Sequence, residues 1–149
     1  MRPLELTVEG FTSFRNKNNI NFEQLELFAI TGPTGAGKSS LLDAMTLALY
    51  GKVARFSGKT QPKELLSQGS SKLQVSLRFL VDNFEYQVFR SWLYRNLDKP
   101  PQVNFKLEKR IQNDWQPLGE QKEADINATI ENILRMNFET FTKVILLPQ

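Results

Sequence analysis

An α/β fold carrying an antiparallel β meander is what this sequence predicts, and three observations predict it. A short apolar run, Leu27-Phe28-Ala29-Ile30-Thr31, leads directly into Gly32-Pro33-Thr34-Gly35-Ala36-Gly37-Lys38-Ser39. Apolar residues then recur at helical spacing at Leu41, Leu42, Met45 and Leu49. Buried strand, glycine-rich loop and helix in that order are the setting of a phosphate-binding loop, here matched at every fixed position of G-x-x-x-x-G-K-[ST]. Finally, residues from about 72 to 118 alternate apolar and polar in successive segments, the period of antiparallel strands with one covered face.

The elements follow in order. Leu4, Leu6 and Val8 alternate with Glu5, Thr7 and Glu9, a half-buried strand ended by Gly10. The polar stretch 12–19 reads as a turn into a short strand at 20–22. The run 27–31 reads as a strand buried on both faces. The helix after the loop is expected from Ser39 to Leu49, with Gly51 as its C-terminal cap. Residues 52–71, rich in Lys, Ser, Gly and Gln, read as a long loop with one helical turn near Leu65-Leu66.

Leu73, Val75, Leu77, Phe79 and Val81 make the clearest strand, and Asp82-Asn83 the turn into a second over 85–92. A break at 96–101 precedes a third strand through Val103, Phe105 and Leu107, and 111–117 adds a fourth. This meander reads as an insert in the α/β frame. Past Gly119 the period becomes helical: Ile126, Ile130, Ile133 and Leu134 share one face. Asn137 is placed to cap a short second helix holding Phe138 and Phe141.

Composition narrows the chemistry. At 149 residues the chain holds one domain with its own core, and its 40% hydrophobic and 23% charged content is that of a globular protein. No apolar run approaches the ~20 residues of a membrane span. The start, Met1-Arg2-Pro3-Leu4-Glu5, lacks the apolar core of an export signal. Cysteine is absent, which excludes disulfides and thiolate metal sites. Histidine is absent too, so a general base must be a carboxylate, a lysine or metal-bound water. The net charge of +3 permits a polyanionic partner without calling for one.

The loop has to hold several negative charges without a covalent bond. Gly35 and Gly37 let successive backbone N–H groups turn inward, and Pro33, Thr34 and Ala36 complete the turn. The helix begins near Lys38 and aims its positive end at the same point. Lys38 reaches for the β- and γ-phosphates, Ser39 offers a hydroxyl to Mg²⁺, and Ser40 follows in the first turn. The pattern calls for a nucleotide with Mg²⁺ as its ligand. Hydrolysis also needs an acid near the metal, and none is convincing. Asp82 follows only three apolar residues and is better explained by a hairpin turn. Leu118-Gly119-Glu120-Gln121 lacks the serine and paired glycines of an ABC signature and reads as a turn before a helix.

Thr34-Gly35-Ala36-Gly37-Lys38-Ser39-Ser40-Leu41-Leu42-Asp43-Ala44, then Ala48-Leu49-Tyr50-Gly51, resembles the N-terminal lobe of the SbcC family of SMC-like ABC ATPases. Met1-Arg2-Pro3-Leu4, the strand pair 75–79 and 86–90, Phe141 and the closing Leu146-Leu147-Pro148-Gln149 carry the likeness across the chain. The resemblance implies a P-loop NTPase half-head of ABC type over 1–149. Its parts are the phosphate loop at 32–39, the meander at about 72–118, helices over about 121–144 and a glutamine loop beginning at Gln149. A C-terminal lobe, absent from this chain and reached across a long coiled coil, would bring the signature motif and the acidic pair. The apolar run 144–147 is expected to continue into structure, as a lobe cut from a larger head would.

The same resemblance implies two heads closing on two ATP molecules, with Gln149 meeting Mg²⁺ near the γ-phosphate. It implies an SbcD-like metal-dependent nuclease as partner, DNA ends as substrate, and a bacterial cytoplasmic, nucleoid-associated setting with no membrane. This lobe alone is expected to bind ATP without efficient turnover. The alternative is a head lobe of another SMC-like, RecF-like or RecN-like tether in which nucleotide use is mainly structural. Relatives carry an arginine in the turn after the first strand, where this chain has Thr12. Ser13 or Arg15 is the candidate for that role, against plain solvation of a polar turn. Lys59 and Lys63 lie where the family meets adenine or DNA, against a solvated loop. Arg90, Arg95, Lys106, Lys109 and Arg110 form either a basic strip for phosphate backbones or an ordinary exposed strand face.

Overall fold

In the computed structural model, residues 1–23, 38–56 and 61–145 are described. They build one six-stranded sheet with two helices packed on it and a third packed on the first of these. The strands are β1 (Arg2–Glu9), β2 (Asn18–Asn21), β3 (Lys72–Val81), β4 (Phe84–Leu93), β5 (Gln102–Ile111) and β6 (Asp114–Pro117). Their order is β2-β1-β3-β4-β5-β6, and every pairing is antiparallel. The expected strand at 27–31 lies outside the described residues.

The meander differs from expectation in two respects. It is not an insert: β1 pairs along β3 from Arg2↔Leu80 to Glu9↔Gln74, so the N-terminal strand and the meander are one sheet. Alternation shows that a strand has a covered face. It does not show which distant strand lies beside it. The fourth meander strand also begins at Asp114, because Gln112 at φ 57 turns the chain after Ile111.

Period-two patterning sets the core. Leu73, Val75, Leu77 and Phe79 of β3 are fully buried, as are Leu6 and Val8 of β1 and Val88 of β4. Phe79 and Tyr86 sit opposite each other in register and stack at 5.6 Å. Between β3 and β4, Asp82 at φ 52 and Asn83 at φ 67 form a two-residue left-handed turn of the kind antiparallel strands favour. Asp82 is thus a turn residue.

On the covered face lies α1 (Lys38–Tyr50), packed on β3 and β4. Ala44, Leu47 and Ala48 are fully buried, and the two alanines let the helix approach the sheet closely. Gly51 at φ 70 ends it, its N–H donating to Leu47 O at 2.9 Å. Next, α2 (Glu123–Leu134) buries Ile126, Ile130 and Leu134, with Glu123 and Asp125 at its positive end. Arg135 at φ 57 closes α2, and Asn137 Oδ1 accepts from Thr140 N at 2.9 Å to open α3 (Phe138–Ile145), which buries Phe141. The helical turn expected near Leu65-Leu66 is a 3₁₀ helix over Pro62–Leu65.

Candidate phosphate site at the head of the first helix

Of the expected site residues, Pro33, Thr34, Gly35, Ala36, Gly37 and Gln149 lie outside the described residues, as do Lys59 and the side chains of Lys38 and Ser39. What is described is the frame that holds the start of α1. Lys38, Ser39 and Ser40 occupy its first turn, whose backbone N–H groups have no partner within the helix. No acidic residue stands in that turn, so nothing there repels an anion. The donor set fits a phosphate: free N–H groups, the positive end of a 13-residue helix, and a lysine.

The turn after β1 is braced against this helix. Gly10 has φ 67, and a Cβ there would lie 1.8 Å from Lys72 O, so only glycine fits. Phe11 bridges to both Phe14 and Leu66, Thr12 N donates to Leu65 O at 2.8 Å, and Ser67 Oγ donates to Thr12 O at 2.7 Å. Held at φ 45, Thr12 donates through its hydroxyl to Ser40 Oγ at 2.7 Å. In this turn, then, Thr12 is the residue that reaches α1. Ser13 and Arg15 are exposed, and the Arg15 guanidinium lies beside Gly69. Ser40 is buried and its hydroxyl is engaged by Thr12, with Arg55 Nη2 at 3.5 Å. Toward a phosphate it offers its backbone N–H.

One turn on, the buried Asp43 carboxylate accepts from Arg55 Nε at 2.5 Å and pairs with Nη2 of the same guanidinium. Burial raises the Asp43 pKa, and the Arg55 hydrogen bond and charge pull against that. Arg55 therefore offsets the negative charge of Asp43 within the second turn of α1. Sequence reading assigned no role to Thr12, Asp43 or Arg55, because their pairing depends on loops folding back. Lys63 is exposed on the 3₁₀ helix.

The basic strip does not survive as one surface. Arg90 is fully buried: Nε donates to Ala48 O at 2.8 Å, and Nη2 to Leu49 O at 3.1 Å and to Asn127 Oδ1 at 2.6 Å. Its place in the run Tyr86, Val88, Arg90, Trp92 was the available signal, since that parity points inward. Lys109 shares that face and sits 3.8 Å over the Phe84 ring. Lys106 and Arg110 point to the opposite face, where Arg110 pairs with Glu85. Arg95 follows β4 and is exposed. The Leu118–Gln121 stretch is a turn before α2. Gln121 Oε1 accepts from Leu107 N at 2.7 Å, while Nε2 donates to Gly119 O at 3.1 Å.

Among the described residues no helix is long and apolar enough to cross a membrane, and no cluster of acids could by itself hold a metal.

Against known proteins, a family model described as an AAA domain matches residues 5–149. The chain is 43% identical over its whole length to the SbcC subunit of nuclease SbcCD from Deinococcus radiodurans and spans 16% of that protein. It is 41% identical to a probable DNA double-strand break repair Rad50 ATPase of Aquifex aeolicus, spanning 14% of it. With the SbcC subunit of nuclease SbcCD from Bacillus subtilis it shares 36% identity and spans 13%. The solved SMC head domain from Thermotoga maritima superimposes with a TM-score of 0.52 at 22% identity, over 87% of this chain and 42% of that one. This likeness carries the fold: an α/β half-head of the ABC type. The resemblance to SbcC holds along the whole chain, and with its family model matching nearly end to end, the chain belongs to this AAA-domain family.

Proposed function

We propose that this chain is the ATP-binding lobe of a DNA double-strand-break repair ATPase. With a C-terminal lobe it would form a head that dimerises on ATP, hydrolyses it, and so controls a partner nuclease at DNA ends in the bacterial cytoplasm, at the nucleoid. The observation that carries this reading is the G-x-x-x-x-G-K-S loop running into α1, in a chain aligned throughout with SbcC and Rad50 ATPases.

In this reading the N–H groups from Gly35 to Ser40 cradle the phosphates, and Lys38 reaches the β- and γ-oxygens. Ser39 and Gln149 would hold the metal, which supplies neutralisation of charge on the bridging phosphates. Thr12 fixes the first turn of α1 through Ser40. Ser13 and Arg15 remain candidates for contact with the nucleotide from the exposed side of the same turn. The water-activating carboxylate is assigned to the C-terminal lobe, so this chain alone binds Mg·ATP and turns it over poorly. The test is ATP binding and turnover with and without the separately expressed C-terminal lobe. Binding by the chain alone, with turnover and dimerisation appearing on mixing, is the expected result. Steady turnover by the chain alone would overturn the split of roles and make Asp82 the first residue to mutate.

A further inference from the structure

The last turn of α1 ends without a basic residue of its own, although helix C-termini favour a cation there. Arg90 supplies that cation from β4, on the carbonyls of Ala48 and Leu49. The same guanidinium donates to Asn127 on α2. A second tie lies one residue on. Tyr50 Oη donates to Met136 O at 2.9 Å, between α2 and α3, and its ring meets Phe138 at 5.9 Å and Phe141 at 5.4 Å. Gly51 makes room for the guanidinium, since a Cβ there would meet Arg90 Nη1 at 3.2 Å and Glu123 Oε1 at 3.4 Å.

This junction does more than add stability. Burial pulls the Arg90 pKa down to about 10, only partly offset by the Glu123 charge, so the group stays cationic at pH 7 at a desolvation cost. Its Nη1 has no partner among the described residues. Two of the groups it serves, Ala48 O and Leu49 O, are backbone carbonyls that an apolar side chain would leave without a partner. What the polar junction adds is direction, because it fixes the axial and rotational position of α1 against α2 and α3. The helix spans 13 residues, about 20 Å from the phosphate loop to this clamp. Beyond α3 the chain runs on to Gln149.

We propose that Arg90 and Tyr50 are positioning residues that lock the C-terminal turn of α1 to the α2–α3 hairpin, so that phosphate binding at one end of α1 is transmitted to the segment leading to Gln149. This rests on the ATP-binding reading above. Hydrogen exchange over residues 138–145 of the full chain, with and without Mg·ATP, tests it, alongside the ATP dissociation constant.

In the wild type, ATP slows exchange there by ~5-fold or more. Asn127→Leu and Tyr50→Phe each lose most of that slowing while the dissociation constant moves less than ~3-fold. Asn127→Asp keeps an acceptor for Arg90 and keeps the response. Retention of the response in either Asn127→Leu or Tyr50→Phe would overturn the coupling, as would a wild type that binds ATP with no change over 138–145. A wild type that fails to bind ATP would instead overturn the ATP-binding reading and this inference with it. Tyr50→Phe removes one hydroxyl, so the test stands even where Asn127→Leu does not fold.

Discussion

Replacing Arg90 by methionine removes three donated hydrogen bonds and leaves Ala48 O, Leu49 O and Asn127 Oδ1 without their buried partner. Each orphaned acceptor costs ~1–3 kcal/mol, and loss of a cation at a helix C-terminus adds up to ~1 kcal/mol. Relief of the desolvation carried by a fully buried guanidinium works the other way, by several kcal/mol before relaxation. Methionine is close to arginine's stem in volume, so the cavity contribution is small. The net expectation is a loss of ~2–4 kcal/mol. Urea unfolding followed by fluorescence of the buried Trp92 reads this directly. With a slope of ~2 kcal/mol per M, the midpoint drops by ~1–2 M. Arg90→Lys should fall between, because an ammonium cannot fork to both helix carbonyls and Asn127. A midpoint within ~0.2 M of wild type for Arg90→Met would show that solvent or neighbours satisfy those carbonyls, and the clamp would have no energetic content.

Other expectations follow from the same geometry. Gly10→Ala should cost ~3 kcal/mol or more, or prevent folding, since its Cβ would stand 1.8 Å from Lys72 O; calorimetric Tm against wild type checks it. Thr12→Val removes the hydroxyl bond to Ser40 and should weaken Mg·ATP binding by ~3–10-fold with a stability loss of ~1 kcal/mol, read by titration calorimetry and urea unfolding. Glu5 has its pKa lowered below 4.5, first by the Asn19 side-chain hydrogen bond and then by Arg78. Its contribution is therefore fully present above pH 4.5 and lost as pH falls through the lower folded value. Carboxyl titration by NMR should place Glu5 below the ordinary glutamate value of 4.5, and Arg78→Met should raise it.

The strands were legible because one face of the sheet is covered. In β3, Leu73, Val75, Leu77 and Phe79 declare that face residue by residue, and Asp82-Asn83 declares the turn. The helical period of Ile126, Ile130 and Leu134 did the same for α2. Pairing between distant strands was not legible. Neighbouring β1 and β3 are joined by 62 intervening residues, and no local signal reports which strand lies beside which. Arg90 was misread for a related reason: charge suggested a surface, whereas its parity with Val88 and Trp92 already pointed inward. The phosphate loop was legible as a motif because its chemistry is local and backbone-made. Its brace was not, since Thr12, Ser40, Arg55 and Asp43 meet only after two loops fold onto α1.

Calorimetric titration of Mg·ATP into the chain and into Lys38→Ala is the measurement on which the ATP-binding reading rests. Saturable binding at one site per chain, lost or weakened by ~100-fold or more in Lys38→Ala, is the predicted result. No binding to the wild type, or equal affinity in the variant, would contradict it.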